Sequence, residues 1–184
     1  AAACAASAWF IAGGHFMLPL DDSYIHLQYA RQFAHLEVFA YTHGADPSGG
    51  ATSPLWIILL APFFLLGLKG VLGAVAAFGV GTAIWTLSSV LIGRIALRAT
   101  ESASAGFAAS LLFMLNGHLL WNFVNGMETG LFALLVLVAI HSYSEWDRDQ
   151  HRHHLRRLLI TLALLPICRP EGFLLSGAAL VVVA

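Results

Sequence analysis

Long apolar runs, separated by short polar segments, dominate the pattern of this chain. Six of these runs cover residues 1–20, 71–97, 103–124, 129–143, 158–168 and 173–184. The hydrocarbon core of a bilayer is about 30 Å thick, so a helix needs about 20 residues to cross it. The pattern therefore predicts an all-α, polytopic transmembrane architecture, in which the runs at 129–143 and 158–168 form short spans.

A further apolar run, residues 54–68, cannot be assigned by its length alone. As a helix it reaches roughly 22 Å, at about 1.5 Å per residue. If it crossed the membrane, it would place six arginines on the same side as Asp21, namely Arg94, Arg98, Arg148, Arg152, Arg156 and Arg157. Positive residues collect in cytoplasmic loops, so a run that lies along the outer surface agrees better with this distribution. We therefore predict a juxtamembrane helix at 54–68, within an outer segment at residues 21–70.

The composition supports a membrane protein and excludes three other classes. Of the 184 residues, 59% are hydrophobic and 10% are charged, whereas a soluble domain carries about 25% charged residues. The net charge of −1 provides no basic field for nucleic acid. A water-soluble enzyme, a disordered chain and a nucleic-acid-binding protein are therefore excluded. The prediction is a multi-pass integral membrane protein with a single domain over residues 1–184.

The outer segment is predicted to hold two helices. Asp21 or Asp22 is suited to cap a helix that begins at Ser23. One face of this helix is predicted to be an apolar stripe of Ile25, Tyr29, Phe33 and Leu36. The opposite face carries His26, Gln28, Arg31 and His35. Pro54 then starts the second helix, and Trp56 is expected at the level of the lipid headgroups.

The few charged residues gather at the ends of predicted spans on one side of the membrane. Asp21 and Asp22 end the first span, Glu128 lies in the next outer turn, and Arg169 and Glu171 lie in the one after it. A pair of adjacent carboxylates is by itself more typical of a helix cap. Its convergence with other ionisable residues in short outer turns favours a functional site at the membrane surface. A carboxylate there is suited to act as a general base.

Five short motifs in a fixed order carry a family resemblance. They are Asp-Asp-Ser-Tyr-Ile at 21–25, Tyr-Ala-Arg at 29–31, Thr-Ser-Pro-Leu-Trp at 52–56, Gly-Met-Glu-Thr at 126–129 and Arg-Pro-Glu-Gly at 169–172. Together they resemble the polyprenyl-phosphate-sugar-dependent membrane glycosyltransferases of the GT-C fold. The resemblance is strongest to the mycobacterial arabinofuranosyltransferase-like branch. It is more distant to the protein mannosyltransferases and the lipid A aminoarabinose transferase.

The resemblance implies roles for individual residues. Asp21 matches the catalytic acid of the family, and Asp22 and Glu128 match acidic positions that bind donor, acceptor or a metal ion. Arg169 falls near a basic position that contacts the lipid phosphate. Supporting candidates are Tyr24, Arg31 and Glu171. Whether a divalent cation takes part stays open, because metal dependence varies among these enzymes.

The reaction implied by the resemblance is the transfer of a pentose or hexose from a polyprenyl-phosphate sugar to an acceptor hydroxyl. The acceptor is a glycan, a lipid or a protein, and a one-step displacement inverts the anomeric centre. The expected location is the bacterial inner membrane, with the site facing the periplasm. Two alternatives stay open: a transporter or flippase of lipid-linked sugars, and a non-catalytic membrane subunit.

The chain departs from the family pattern in two respects. Residues 48–51, Ser-Gly-Gly-Ala, stand where many relatives have an acidic or bulkier residue before Thr-Ser-Pro. Such enzymes also run to several hundred residues, with more spans and often a soluble outer domain. Because residue 1 is not methionine and both ends lie inside apolar runs, we expect this sequence to be the N-terminal module of a longer protein.

Overall fold

The computed structural model describes residues 16–50 and 52–183, and the regular elements in these ranges are all helices. They are α1 (Asp21–Ala34), α2 (Pro54–Leu65), α3 (Val71–Thr100), α4 (Ala103–Leu115), α5 (Gly117–Val124), α6 (Thr129–Asp149), α7 (Arg152–Cys168) and α8 (Gly172–Val183). The all-α prediction is confirmed for the described residues. The predicted span at 1–20, apart from residues 16–20, lies outside them.

Two helices, α3 and α6, are long and apolar enough to cross a membrane. They contain 30 and 21 residues, which corresponds to roughly 45 and 31 Å at about 1.5 Å per residue. A third span results if α4 and α5 are counted as one, although they are bent by 66° at their junction. Helices α2 and α8 are apolar but shorter. The described part of the chain therefore contains fewer qualifying helices than the sequence predicted, and the run at 158–168 is not among them.

The predicted span at 103–124 is broken at Asn116. This residue has an extended backbone conformation, and its side-chain oxygen accepts a hydrogen bond of 3.1 Å from the backbone N–H of Leu119. An asparagine that caps a helix in this way satisfies one of the free N–H groups of the first turn. Helix α5 therefore starts anew at Gly117, in a different direction from α4.

Helix α3 packs against α4, α5 and α6. It contacts α4 through Ser89 and Ser110, whose hydroxyls each donate to the other's carbonyl oxygen, at 3.2 and 2.9 Å. It contacts α5 at Gly81, where an added Cβ would lie 2.0 Å from the carbonyl oxygen of Phe123. Only glycine permits this approach, because a side chain would overlap the α5 backbone. Small and hydroxyl-bearing residues at helix contacts are typical of membrane helices.

Helix α2 begins at Pro54, as the sequence predicted, and packs against α1 and α7. Its buried residues include Trp56, Ile57 and Leu60, each no more than 2% exposed. The expectation that Trp56 lies among lipid headgroups is therefore wrong. The indole belongs to the core of the domain because its N–H group has a hydrogen-bond acceptor there.

The buried face of α1 also differs from the predicted stripe. Ser23, His26, Leu27 and Ala30 are buried, whereas Leu36 lies beyond the end of the helix and is 89% exposed. His26, which was assigned to the polar face, is 4% exposed. The predicted stripe is right for Tyr29, which is 2% exposed, and for Ile25 and Phe33, which pack against the core, but it left out Ser23 and His26.

We predict that the two ends of α3 lie on opposite sides of the membrane. Lys69 precedes this helix and Arg98 lies in its last turn, about 44 Å apart along the axis at 1.5 Å per residue. Single-cysteine variants at positions 22, 69 and 98, made without Cys4 and Cys168, are treated with an impermeant maleimide in intact and opened cells. Positions 22 and 69 should react from outside, and position 98 only after opening. Reaction of positions 69 and 98 from one side would contradict this arrangement.

Candidate functional site

The site is organised around the turn Asn125–Glu128, which joins α5 to α6. The side chain of Asn125 accepts a hydrogen bond of 2.9 Å from the backbone N–H of Met127. Gly126 has a φ of +89°, a conformation that side chains other than glycine's rarely adopt. An added Cβ at Gly126 would also lie 2.9 Å from the Cβ of Ser23. The turn is therefore tight, and it is pressed against the start of α1.

Two hydrogen bonds attach α1 and α2 to this turn. The hydroxyl of Ser23 in α1 donates to the carbonyl oxygen of Asn125 at 2.6 Å. The indole N–H of Trp56 in α2 donates to the carbonyl oxygen of Gly126 at 3.0 Å. Both contacts are buried, where an unpaired carbonyl costs about 1–3 kcal/mol. They therefore fix α1 and α2 against the loop that carries Glu128.

Three ionisable side chains meet beside the turn: His26, Glu128 and Arg169, called here the His–Glu–Arg triad. His26 Nε2 lies 3.3 Å from Glu128 Oε2, and both side chains are at most 5% exposed. Arg169 Nη1 lies 3.6 Å from Glu128 Oε1, and its side chain is 32% exposed. Within the described ranges no donor is aligned for a hydrogen bond to Glu128 Oε2. The contact with His26 is thus close but not a well-formed hydrogen bond.

Burial determines the protonation of the histidine. Loss of water around His26 lowers its pKa, and the negative charges of Glu128 and Asp22 only partly oppose this effect. A neutral His26 leaves the buried carboxylate to be compensated by Arg169. A buried charge that loses its partner destabilises a protein strongly. The buried Glu128 carboxylate therefore holds the Arg169 guanidinium in place.

The outer side of Arg169 contacts Glu171 and Thr129. Arg169 Nη2 lies 3.3 Å from Glu171 Oε1, and Nη1 lies 3.4 Å from the hydroxyl of Thr129. The side chain of Glu171 is 60% exposed. Its pKa is lowered by a hydrogen bond from its own backbone amide and by Arg169. The structure thus brings Glu128, Arg169 and Glu171 together, with two carboxylates sharing one guanidinium.

Asp21 and Asp22 are exposed in the first turn of α1. The helix begins at Asp21, its N-cap residue is Leu20, and no side chain caps it. The prediction that Asp21 or Asp22 caps a helix starting at Ser23 is therefore wrong. Both carboxylates instead lie near the positive end of the helix dipole, which favours negative charge. Asp22 stands one turn before His26 and acts on its pKa.

Within the described residues, Tyr24 and Arg31 form no hydrogen bond or ion pair with the triad. The hydroxyl of Tyr24 accepts a hydrogen bond of 2.9 Å from the backbone N–H of Leu18, so it fixes the chain that enters α1. Arg31 is exposed in the last turn of α1, about 15 Å along the axis from Asp21 at 1.5 Å per residue. Within the described ranges, no group of three or more His, Cys, Asp or Glu side chains is placed to hold a metal ion.

His26 was not selected as a site residue from the sequence. The available signal was the spacing of Ser23, His26, Leu27 and Ala30, which is that of one helix face. A search for apolar stripes passes over this face because two of its four members are polar.

Comparison of the chain with protein-family models, curated proteins and solved structures finds no match.

We predict that acid destabilises the fold through His26. In the unfolded chain this histidine takes up a proton near its ordinary pKa of 6.5, whereas in the folded protein it does so only at lower pH. The free energy of unfolding should therefore decrease as the pH falls below about 6.5. Thermal unfolding of the detergent-solubilised protein between about pH 7.5 and 5 should show this decrease, and His26→Gln should reduce it.

A matched control is His118→Gln, because His118 is an exposed residue of α5. This variant should keep the pH dependence of the parent protein. Equal loss of stability in acid for the parent and His26→Gln would assign the effect to other groups.

Proposed function

We propose that this chain carries the active site of a membrane glycosyltransferase of the GT-C type, in the bacterial inner membrane and facing the periplasm. It transfers a sugar from a polyprenyl-phosphate donor to a hydroxyl of a glycan, lipid or protein. The observation that carries the proposal is the meeting of exposed and buried charges at one end of the domain. Two exposed aspartates begin α1, and His26 of the same helix contacts the buried carboxylate of Glu128. The partly exposed Arg169 contacts the other oxygen of that carboxylate. Apolar helices long enough to span a membrane adjoin this end.

Asp21 is the proposed general base. It takes the proton of the acceptor hydroxyl as the hydroxyl oxygen attacks the anomeric carbon of the donor. The bond from that carbon to the phosphate oxygen breaks, and the phosphate leaves with the bonding electrons. Attack opposite to the leaving group inverts the anomeric centre. An exposed carboxylate in the first turn of a helix is accessible to an acceptor, and the packing of α1 holds its backbone in place.

Arg169 is the proposed partner of the departing phosphate. A guanidinium offers paired donors to phosphate oxygens, and about a third of this side chain is exposed. Glu128 orients it from the buried side, and Thr129 adds a hydroxyl. The exposed Glu171 occupies the outer donors, so the phosphate has to displace it. Glu171 thereby limits the affinity for the donor.

A transporter of lipid-linked sugars is the second candidate, because the helix break at Asn116 is a feature of transport proteins. In transporters, broken helices place free backbone groups and charges near the midplane. Here the Asn116 side chain itself caps the new helix, and no Asp, Glu, Lys or Arg lies between Glu101 and Glu128. The arrangement of charges at the helix ends favours surface chemistry over transport.

We predict that Asp21→Asn abolishes most sugar transfer while donor binding largely survives. Removal of a general base typically lowers the rate by roughly 10² to 10⁴, because asparagine cannot accept the proton. The measurement is transfer from a polyprenyl-phosphate sugar by the purified full-length protein, with donor binding measured in parallel.

The matched control is Asp22→Asn, which removes the same charge from the same turn of α1. Because Asp22 raises the pKa of His26, this variant should affect acid stability more than turnover. If Asp21→Asn turns over near the parent rate, the assignment of the base is wrong. If the parent and both variants move lipid-linked sugar across a vesicle membrane but transfer no sugar to an acceptor, the transporter hypothesis is correct. A protein without either activity points to a non-catalytic subunit.

We predict opposite effects of substitutions at Arg169 and Glu171. Arg169→Ala should weaken donor binding roughly tenfold to a hundredfold, as expected for the loss of a charge-assisted contact. Glu171→Gln should strengthen it, because it frees the outer donors of the guanidinium. Arg31→Ala, at an exposed arginine on α1, is the control for a general loss of positive charge. Weaker donor binding in Glu171→Gln would contradict the competition between this carboxylate and the phosphate.

A further inference from the structure

A second group of ionisable residues lies at the opposite end of α3 and α6 from the triad. A cavity of about 510 Å³ is located there, lined by Arg94, Leu97, Arg98, Glu101, His141 and Arg148. Arg98 and Arg148 lie in the last turns of α3 and α6, and Arg94 lies one turn before Arg98 in α3. Neither the triad nor the aspartates of α1 take part in this cavity.

Positive charge exceeds negative charge in the cavity, because its lining contains three arginines and one carboxylate, Glu101. Arg98 Nε lies 3.4 Å from Glu145 Oε1, so one guanidinium is already paired. Arg148 donates a hydrogen bond of 3.0 Å to the carbonyl oxygen of Arg98, which joins the ends of the two helices. Arg94 is exposed and makes no ion pair within the part of the chain that the structure describes. The cavity therefore offers free guanidinium donors to an anion.

An exposed apolar strip leads from the cavity along α3. Leu87 and Val90 are 58% and 49% exposed, and they stand seven and four residues before Arg94. These spacings place the three side chains on one face of the helix. Leu97 continues the same face and lines the cavity. A guanidinium at the end of an exposed apolar face suits a ligand that has both an anionic group and a hydrocarbon chain.

We infer that this cavity binds the phosphate headgroup of an anionic membrane lipid, with an acyl chain lying along Leu87 and Val90. Paired donors of arginine match phosphate oxygens, and basic pockets between membrane helices bind anionic headgroups. Arginines at helix ends are also stabilised by the helix dipole, but the dipole explains neither the cavity nor the exposed strip. The inference is independent of the proposed glycosyltransferase activity, because the two sites lie at opposite ends of the helices.

The test measures lipid binding to the full-length protein in non-ionic detergent by native mass spectrometry. The probes are dioleoyl-phosphatidylglycerol, dioleoyl-phosphatidylcholine and inorganic phosphate as a competitor. We expect phosphatidylglycerol to bind more tightly than phosphatidylcholine, and millimolar phosphate not to displace it. Equal binding of the two lipids would overturn the inference. Full displacement by phosphate would show a general anion site instead of a lipid site.

Two double variants separate the cavity from the overall charge. Arg94→Gln with Arg148→Gln should weaken phosphatidylglycerol binding at least about tenfold, the loss typical of removing charge-assisted contacts. Arg152→Gln with Arg156→Gln removes two exposed charges from α7, outside the cavity lining, and should leave the affinity within about threefold. Equal losses in both would mean that diffuse charge binds the lipid.

Arg148 also donates a hydrogen bond to the end of α3, so its substitution can destabilise the fold. A further variant that leaves Arg148 in place controls for this effect. The Arg94→Gln variant loses a guanidinium that has no ion partner among the described residues. The unfolding temperature of this variant should therefore match that of the parent. The variant should still bind phosphatidylglycerol more weakly than the parent does. Unchanged affinity in this well-folded variant would overturn the assignment of Arg94 to the headgroup.

Discussion

The buried carboxylate of Glu128 is the constraint on which the arrangement of this end of the domain depends. An ionised carboxylate removed from water has to be compensated by a nearby positive charge. Arg169 provides that charge from the end of α7, and His26 covers the other oxygen from α1. Three segments that are distant in the sequence are therefore held at one point. The rest of the site takes its position from this contact.

Backbone hydrogen bonds make this arrangement rigid without adding charge. The carbonyl groups of Asn125 and Gly126 accept from the side chains of Ser23 and Trp56. The turn that carries Glu128 thus satisfies two of its buried carbonyl groups with donors from α1 and α2. Rigid support of this kind keeps reactive groups oriented without reorganisation during a reaction. It also leaves Asp21 and Asp22 exposed, because the buried contacts of α1 begin with Ser23.

The two ends of the long helices have opposite electrostatic character. Acidic groups outnumber basic ones where α1 meets the Asn125–Glu128 turn, and arginines dominate where α3 and α6 end. The proposed chemistry at the acidic end and the inferred headgroup site at the basic end use this separation. Helix α3, the longest described helix with 30 residues, connects the two ends alongside α6. Its contacts with α4, α5 and α6 keep the ends in fixed positions.

Hydropathy and charge in the sequence were sufficient to determine the helical class, the start of α2 at Pro54 and the gathering of Glu128, Arg169 and Glu171. These features follow from local composition and from the prediction of which loops lie on the same side of the membrane. Tertiary structure alone decided that His26 and Trp56 are buried, that Asn116 breaks a run of apolar residues, and that neither aspartate caps α1. The burial of His26 and Trp56 depends on an ion contact and a hydrogen bond from distant segments, whereas the break at Asn116 depends on a local cap to Leu119. A one-dimensional pattern records residue types at fixed spacings, and it contains no information about which distant polar group will satisfy a buried one.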